Sequence, residues 1–101
     1  MLPPITKQPW EEFDCSIDFA PDLAAGETLV LDSFTAVNLA NGADSTALVI
    51  GALPAPQISG TKLVFRVIDG TAGQEHKLTG KVHTSAGQKF EVDLVLFIVE
   101  Q

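Results

Sequence analysis

Three carboxylates near the start of the chain are the first candidates for chemistry. Glu12, Asp14 and Asp18 fall on even-numbered positions of a segment with a two-residue period, so they share one face of a predicted strand. Paired carboxylates can bind calcium or transfer protons. Neighbours on one face lie roughly 7 Å apart, however, which is too far to share an ion without ligands from elsewhere. We expect these acids to solvate the face and to discourage edge pairing.

The two histidines and the single cysteine are the other candidates. His76 and His83 lie an odd number of positions apart on one predicted strand, so they point to opposite sides and do not form a joint metal site. We expect His76 to be half-buried and structural, and His83 to be exposed. Cys15 shares the inward face with Phe13 and Ile17, which favours a core role over a nucleophile. The pattern predicts no enzyme and no cofactor.

Alternating apolar residues predict an all-β domain. Proline, glycine and asparagine mark the turns between segments with a two-residue period, and no helical period extends over more than a turn or two. Six or seven strands at short spacing favour a β-sandwich or barrel. The predicted strands cover residues 13–19, 28–38, 45–50, 57–58, 61–68, 75–84 and 89–99.

The faces of the second predicted strand are less evenly divided. One face is more consistently core-like and is expected to be buried, although Phe34 lies on the other face. The face expected to be buried consists of Leu29, Leu31, Ser33, Thr35 and Val37.

The beginning of the chain predicts an arm. Residues 1–9 contain three prolines and little apolar periodicity, so we expect residues 1–10 to be extended and poorly ordered, and residues 11–101 to form the sandwich. Trp10 could anchor this arm either onto its own domain or onto a neighbouring subunit.

The last predicted strand is apolar on both faces beyond Asp93. One face of a strand in a two-layer sandwich normally meets water, so the outer face is either covered by residues 1–10 or lies at a subunit interface. We favour the interface. The predicted assembly residues are therefore Trp10, Val95, Phe97 and Val99.

The length and charge of the chain restrict its function further. The 101 residues suit one domain, and the net charge is −7. Residues 1–60 hold eight acids and only one cation, Lys7, which argues against nucleic acid and anionic membranes as partners. The acidity either keeps the protein soluble or complements a basic partner. The chain has no apolar run of membrane-span or signal-peptide length, so we expect a cytosolic product.

Three stretches together resemble a family of small structural proteins encoded by tailed phages and prophages. They are residues 7–20, with a Lys-x-Pro start and Ser-Ile-Asp-Phe at 16–19; residues 70–78, with Gly-Thr-Ala-Gly; and residues 82–89, with Thr-Ser-Ala-Gly. Phe19, His76 and Gln88 stand where the family more often has tryptophan, tyrosine and arginine. The resemblance implies an immunoglobulin- or fibronectin type III-like antiparallel sandwich of about seven strands, and no catalytic residues.

The resemblance also implies a role in the virion. It indicates a fibre–tail adaptor or a related component of the tail or head–tail region, which acts through protein–protein assembly. Its expected partners are other virion or tail proteins, or further copies of itself in a homo-oligomer. The expected place of assembly is the host cytoplasm, and the final location is the virion. The alternative is a carbohydrate- or peptide-binding module that uses Trp10. An enzyme is a third reading, which turnover dependent on His76 or His83 would support.

Overall fold

The chain forms two β-sheets in a computed structural model, which describes residues 1–100. Seven strands occur in this part of the chain, together with a 3-10 turn at Ala20–Asp22 and one short helix, α1, at Thr46–Val49. The strands are β1 Ile5–Lys7, β2 Phe13–Asp18, β3 Leu29–Asn38, β4 Gln57–Ser59, β5 Lys62–Val67, β6 Glu75–Thr84 and β7 Lys89–Ile98.

The two sheets have four and three strands. The four-stranded sheet has the order β1-β7-β6-β3, and the three-stranded sheet has the order β2-β5-β4. This arrangement confirms an all-β sandwich. The strand pairs are antiparallel except β1 and β7, which run parallel and so depart from the expected antiparallel sandwich. The immunoglobulin- or fibronectin type III-like character stays a prediction.

The start of the chain belongs to the sandwich. Ile5–Lys7 pairs with residues 96–98 of β7, and the Leu2 amide donates to the Asp93 carbonyl at 2.9 Å. The expectation of a poorly ordered segment is therefore wrong for β1. Proline at 3, 4 and 9 suggested an arm, but these prolines flank the strand and leave its three residues free to pair. The division of the chain into an arm, residues 1–10, and a sandwich domain, residues 11–101, stays a prediction.

Residues 45–50 do not form the expected strand. Thr46–Val49 is a single helical turn, closed by the Ile50 amide, which donates to the Thr46 carbonyl at 2.9 Å. The Asp44 carboxylate accepts from both the amide and the hydroxyl of Thr46, at 2.9 and 2.7 Å, and so directs the backbone into a turn. The apolar residues that suggested a strand still reach the core, since Val49 and Ile50 are buried.

A β-bulge between Leu31 and Ser33 changes which face of β3 is buried. Leu29 faces the core before the bulge, whereas Phe34 and Ala36 face it afterwards. The expectation that Ser33, Thr35 and Val37 point inward is therefore wrong. One extra residue in a strand moves every later side chain to the opposite face, and a strict two-residue period does not detect it.

The core lies between the two sheets. The antiparallel pairing of β6 with β7 confirms the predicted hairpin. The rings of Phe34 and Phe65 meet across the layers with centroids 4.6 Å apart. Gly80 allows close packing, because a Cβ there would lie 2.8 Å from Leu63 Cδ2. The most completely buried apolar side chains are Ala36, Val49, Leu63, Val67, Leu78 and Leu96.

Candidate assembly surfaces

Trp10 lies at the tip of the turn that connects β1 to β2. The Glu11 amide donates to the Gln8 carbonyl at 3.1 Å, and the Gln8 amide donates to Glu11 Oε1 at 2.6 Å, which closes the turn. The Trp10 side chain is 92% exposed, so it does not anchor this segment onto its own domain. Exposed tryptophan is uncommon enough to mark a surface for contact.

An open cleft surrounds Trp10 on the side of the three-stranded sheet. Arg66 in this cleft is held by Asp14, whose Oδ1 accepts from Arg66 Nε at 2.9 Å. The cleft thus combines an aromatic ring, one paired guanidinium and free carboxylates. It is lined by Pro9, Trp10, Glu12, Arg66 and Asp69.

Lys7 fixes the turn that carries Trp10. Its side chain is 1% exposed, and its ammonium donates to the carbonyl of Pro9 at 3.3 Å and to the carbonyl of Asp69. Burial lowers the pKa of Lys7, while Asp69 and Glu11 act in the opposite direction. The sequence reasoning missed this role, although the place of Lys7 two residues after Ile5 was a signal that it points inward.

The four-stranded sheet has an apolar region on its outer face, toward the end of β7. Val95, Phe97 and Val99 are half-buried there, and Val37 of β3 lies in the same row as Lys77 and Val95. β1 pairs with the edge of β7 and does not lie over it. Residues 5–7 therefore do not cover the outer face, and its use as a subunit interface stays a prediction.

The structure does not bring the four predicted assembly residues together. Trp10 lies with Arg66 of β5 in the three-stranded sheet, whereas Val95 and Phe97 lie on β7 in the four-stranded sheet. The molecule thus has two separate candidate surfaces, which we call the Trp10 cleft and the β7 outer face. Their use in assembly stays a prediction.

Asp14 and Asp18 lie as expected on one face of β2 and have separate partners, whereas Glu12 precedes the strand and lines the Trp10 cleft. Asp14 pairs with Arg66, while Asp18 Oδ1 accepts from the Thr61 hydroxyl and from the Ala20 amide, each at 2.9 Å. These hydrogen bonds lower the pKa of Asp18. Within residues 1–100, no group of three or more possible ligands is placed to hold a metal ion.

The two histidines face opposite sides, as predicted. His76 is buried more deeply than expected, with Nδ1 at 2.8 Å from Ser45 Oγ and Nε2 at 3.2 Å from Gln74 Oε1. Burial lowers the pKa of His76, which favours the neutral form of the ring. His83 lies on the outer face, 2.7 Å from Asp32 Oδ1.

Cys15 lies on the inward face of β2 with Phe13 and Ile17, as predicted. Burial raises the pKa of the Cys15 thiol to about 11, which disfavours the thiolate that a nucleophile needs.

Within residues 1–100, the helices are too short to cross a membrane.

Comparison with known families identifies the chain's relatives. A family model described as "Podophage GP4 fiber-tail adaptor protein gp77" matches residues 7–97. The chain belongs to this family. The match confirms the resemblance to phage adaptors drawn from the sequence. A search of curated proteins found no match.

The extent of the family match includes most of the candidate surfaces. It begins at Lys7, the buried lysine that holds the Trp10 turn, and it ends at Phe97 on the β7 outer face. Trp10 and Val95 lie inside the matched region, while Val99 lies just beyond it. The gp77 family therefore spans both sheets of the sandwich and not only a local motif.

Proposed function

We propose that this protein is a non-enzymatic structural component of a phage tail that joins the fibre to the tail by protein–protein contacts. The observation that carries the proposal is the family match over residues 7–97. Its partners are other virion proteins, and the solution mass described below tests whether it also binds further copies of itself. Nucleic acid and membranes are poor partners for a chain of net charge −7. The protein is made in the host cytoplasm and ends in the virion.

Two separate surfaces suit an adaptor, which must hold two neighbours at once. The Trp10 cleft offers an exposed tryptophan, the residue type most enriched among energetically dominant interface contacts. The β7 outer face offers Val95, Phe97 and Val99 on a rigid sheet. We assign one neighbour to each surface, so that a variant at one surface should leave the other contact intact.

Removal of the protein from the phage tests the proposal. Particles assembled without the gene should have tails that lack fibres, and resupplied protein should restore them, as seen by electron microscopy. Particles that keep their fibres would contradict the proposal. Trp10→Ala should reduce restoration, while the matched control Leu53→Ala, at a residue 94% exposed, should not.

Solution mass tests whether the β7 outer face binds a second copy. Light scattering over a concentration series should show a discrete oligomer if it does, and Phe97→Ser should then give a monomer. A monomer at all concentrations in the unaltered protein would assign this face to a different virion protein.

A carbohydrate- or peptide-binding module is the second candidate, and the exposure of Trp10 beside Glu12 and Arg66 favours it. Sugars stack on exposed aromatic rings and accept hydrogen bonds from neighbouring polar groups. Binding on a glycan array that disappears with Trp10→Ala would support this function. Fibre attachment that is unaffected by Trp10→Ala would be consistent with it.

A further inference from the structure

One flank of the sandwich is open between β1 and β2. A groove of about 320 Å³ lies there, between the edge of the four-stranded sheet and the edge of the three-stranded sheet. Its floor includes the buried side chains of Phe65 and Leu94. Its walls are formed by half-buried apolar side chains on both edges: Leu2, Ile5, Cys15 and Ile17.

The β2 strand has an unpaired main-chain edge along this groove. β2 pairs with β5 and with no other strand in the described part of the chain. The Phe19 amide donates to the Thr61 carbonyl at 2.9 Å, and the two-residue period then directs the main-chain groups of Cys15 and Ile17 toward β5. The N–H and C=O groups of the alternate residues, including Ser16, therefore point away from β5.

The charges beside this edge are arranged in columns. Asp14 and Asp18 lie on β2, directly opposite Arg66 and Lys62 of β5. Asp14 and Asp18 thus form an acidic column along the free edge of β2, and the two cations lie on the β5 side of this column. A further strand added to β2 would place its side chains on the outer side of the acidic column, where lysine or arginine is favoured and acids are disfavoured.

A second copy of this chain does not offer a suitable strand. The edge strands of the two sheets are β1, β2, β3 and β4. β2 pairing with itself would bring acidic columns together, β3 and β4 contain no lysine or arginine, and the one lysine of β1, Lys7, is buried. The acids at the edge therefore disfavour self-pairing and leave the edge open to a different protein.

We propose that the free edge of β2 binds an extended segment of another virion protein in which apolar residues alternate with lysine or arginine. The proposal rests on the proposed adaptor function and names the chemistry of one partner. The apolar side chains enter the groove beside Ile5 and Ile17, and the cations lie beside Asp14 and Asp18. The partner's main chain pairs with the outward groups of β2, as in other cases of strand addition.

Three synthetic peptides test the charge requirement. We would use a capped nine-residue peptide that alternates valine with lysine, one that alternates valine with glutamate, and one with the first peptide's composition in two blocks. Cys15, the only cysteine, lies in the groove and reports its occupancy through its rate of reaction with a thiol reagent. The alternating lysine peptide should slow this reaction at least about tenfold more than the other two at low salt. Equal effects of all three peptides would overturn the proposal.

Proline at position 16 tests the main-chain requirement. Because the Ser16 amide points away from β5, Ser16→Pro removes a donor at the free edge without removing a bond of the existing ladder. Ser16→Ala is the matched control, since it removes the side chain and keeps the N–H. With unfolding temperatures checked for both, Ser16→Pro should abolish peptide protection of Cys15 and Ser16→Ala should keep it. Protection that persists with proline would overturn strand addition.

The same two variants in phage particles separate this inference from the proposed function. If Ser16→Pro particles lack fibres or lose the protein while Ser16→Ala particles are normal, the β2 edge is used in assembly. If both variants attach fibres normally while particles without the gene do not, the adaptor function stands and the edge proposal fails. If particles without the gene keep their fibres, the adaptor function fails, and the peptide experiment still decides whether β2 accepts a basic strand.

Discussion

The two flanks of the sandwich manage their strand edges in different ways. On one flank, residues 43–46 lie along the end of β3: the Asn38 amide donates to the Ala43 carbonyl, and the Ser45 amide donates to the Ala36 carbonyl, each at 2.9 Å. The Ala36 amide donates in turn to Thr46 Oγ1 at 2.9 Å. On the other flank, β2 has no such cover. We call these the covered flank and the open flank.

The difference shows how one chain keeps one edge closed and another available. Exposed strand edges promote aggregation unless they are covered or charged. The covered flank uses the chain's own backbone and the Thr46 hydroxyl, whereas the open flank uses Asp14 and Asp18. Cover excludes every partner, while charge excludes only partners of the same sign. The open flank is therefore the more selective surface.

Loss of the Lys7 side chain should give the largest decrease in stability, because Lys7 is buried in β1, which forms one side of the groove on the open flank. Lys7→Ala removes a buried side chain and leaves the carbonyls of Pro9 and Asp69 without their donor, which should cost about 2–4 kcal/mol of unfolding free energy. Urea denaturation measures this. The matched control is Lys62→Ala, an exposed lysine on β5, which should change stability by less than about 0.5 kcal/mol. Equal losses in the two variants would mean that Lys7 does not hold β1.

Removal of the Thr46 hydroxyl should weaken the covered flank by less. Thr46→Val leaves the Ala36 amide without an acceptor and should cost about 1–2 kcal/mol. Thr35→Val is the control, since Thr35 is exposed on the outer side of β3. Amide exchange of Ala36 should accelerate in Thr46→Val only. Unchanged exchange would show that the hydroxyl is not what closes this edge.

Acid should act on the covered flank through His76, which contacts Ser45. Burial lowers the pKa of His76, so below about pH 6.5, the usual histidine value, the unfolded state binds the proton that the folded state refuses. Stability should therefore fall as the pH decreases from about 6.5, by at most about 1.4 kcal/mol per pH unit. Denaturation at a series of pH values from 7 to 5 measures this.

Two histidine variants control the acid experiment. His76→Gln should remove the decline between pH 7 and 5, while His83→Gln, on the outer face, should keep it. A decline that survives His76→Gln would assign the proton to another group.

Thiol chemistry should distinguish the flanks without a change in stability. Cys15 lines the open groove, so it should react without global unfolding, slowly at neutral pH and about tenfold faster for each pH unit toward its pKa of about 11. A cysteine at Val49, which is 0% exposed in α1, should react only through opening of the structure when placed in a Cys15→Ser background. Equal rates at both positions would contradict the contrast between the flanks.

Local pattern was enough to predict much of this fold. The period of two located β2, β5 and β6, because a strand that lies between the core and solvent must alternate, and an apolar run of strand length located β7. The same pattern placed His76 and His83 on opposite faces and Cys15 inward. It failed where one residue or one hydrogen bond changed the backbone: at the bulge beside Ser33 and at the turn fixed by Asp44.

The candidate surfaces were only partly predictable. Phe97 was found because it lies on a strand face where polar residues were expected, and Trp10 because it follows the proline-rich start of the chain. The sequence did not reveal that they lie on different sheets, because that depends on strand order. Nor did it reveal the role of Lys7, whose ammonium meets Asp69 across a long separation in the chain.

The sequence by itself determined the all-β class, most strand positions, the acidity and the family, since each depends on residue types at short spacing. Only the tertiary structure decided which strands form edges, which edge is covered and where β1 pairs. These features depend on contacts between residues far apart in the chain. The sequence shows that β2 carries acids. Only the strand order shows that these acids lie on an edge that β5 pairs on one side and no strand of the described chain pairs on the other.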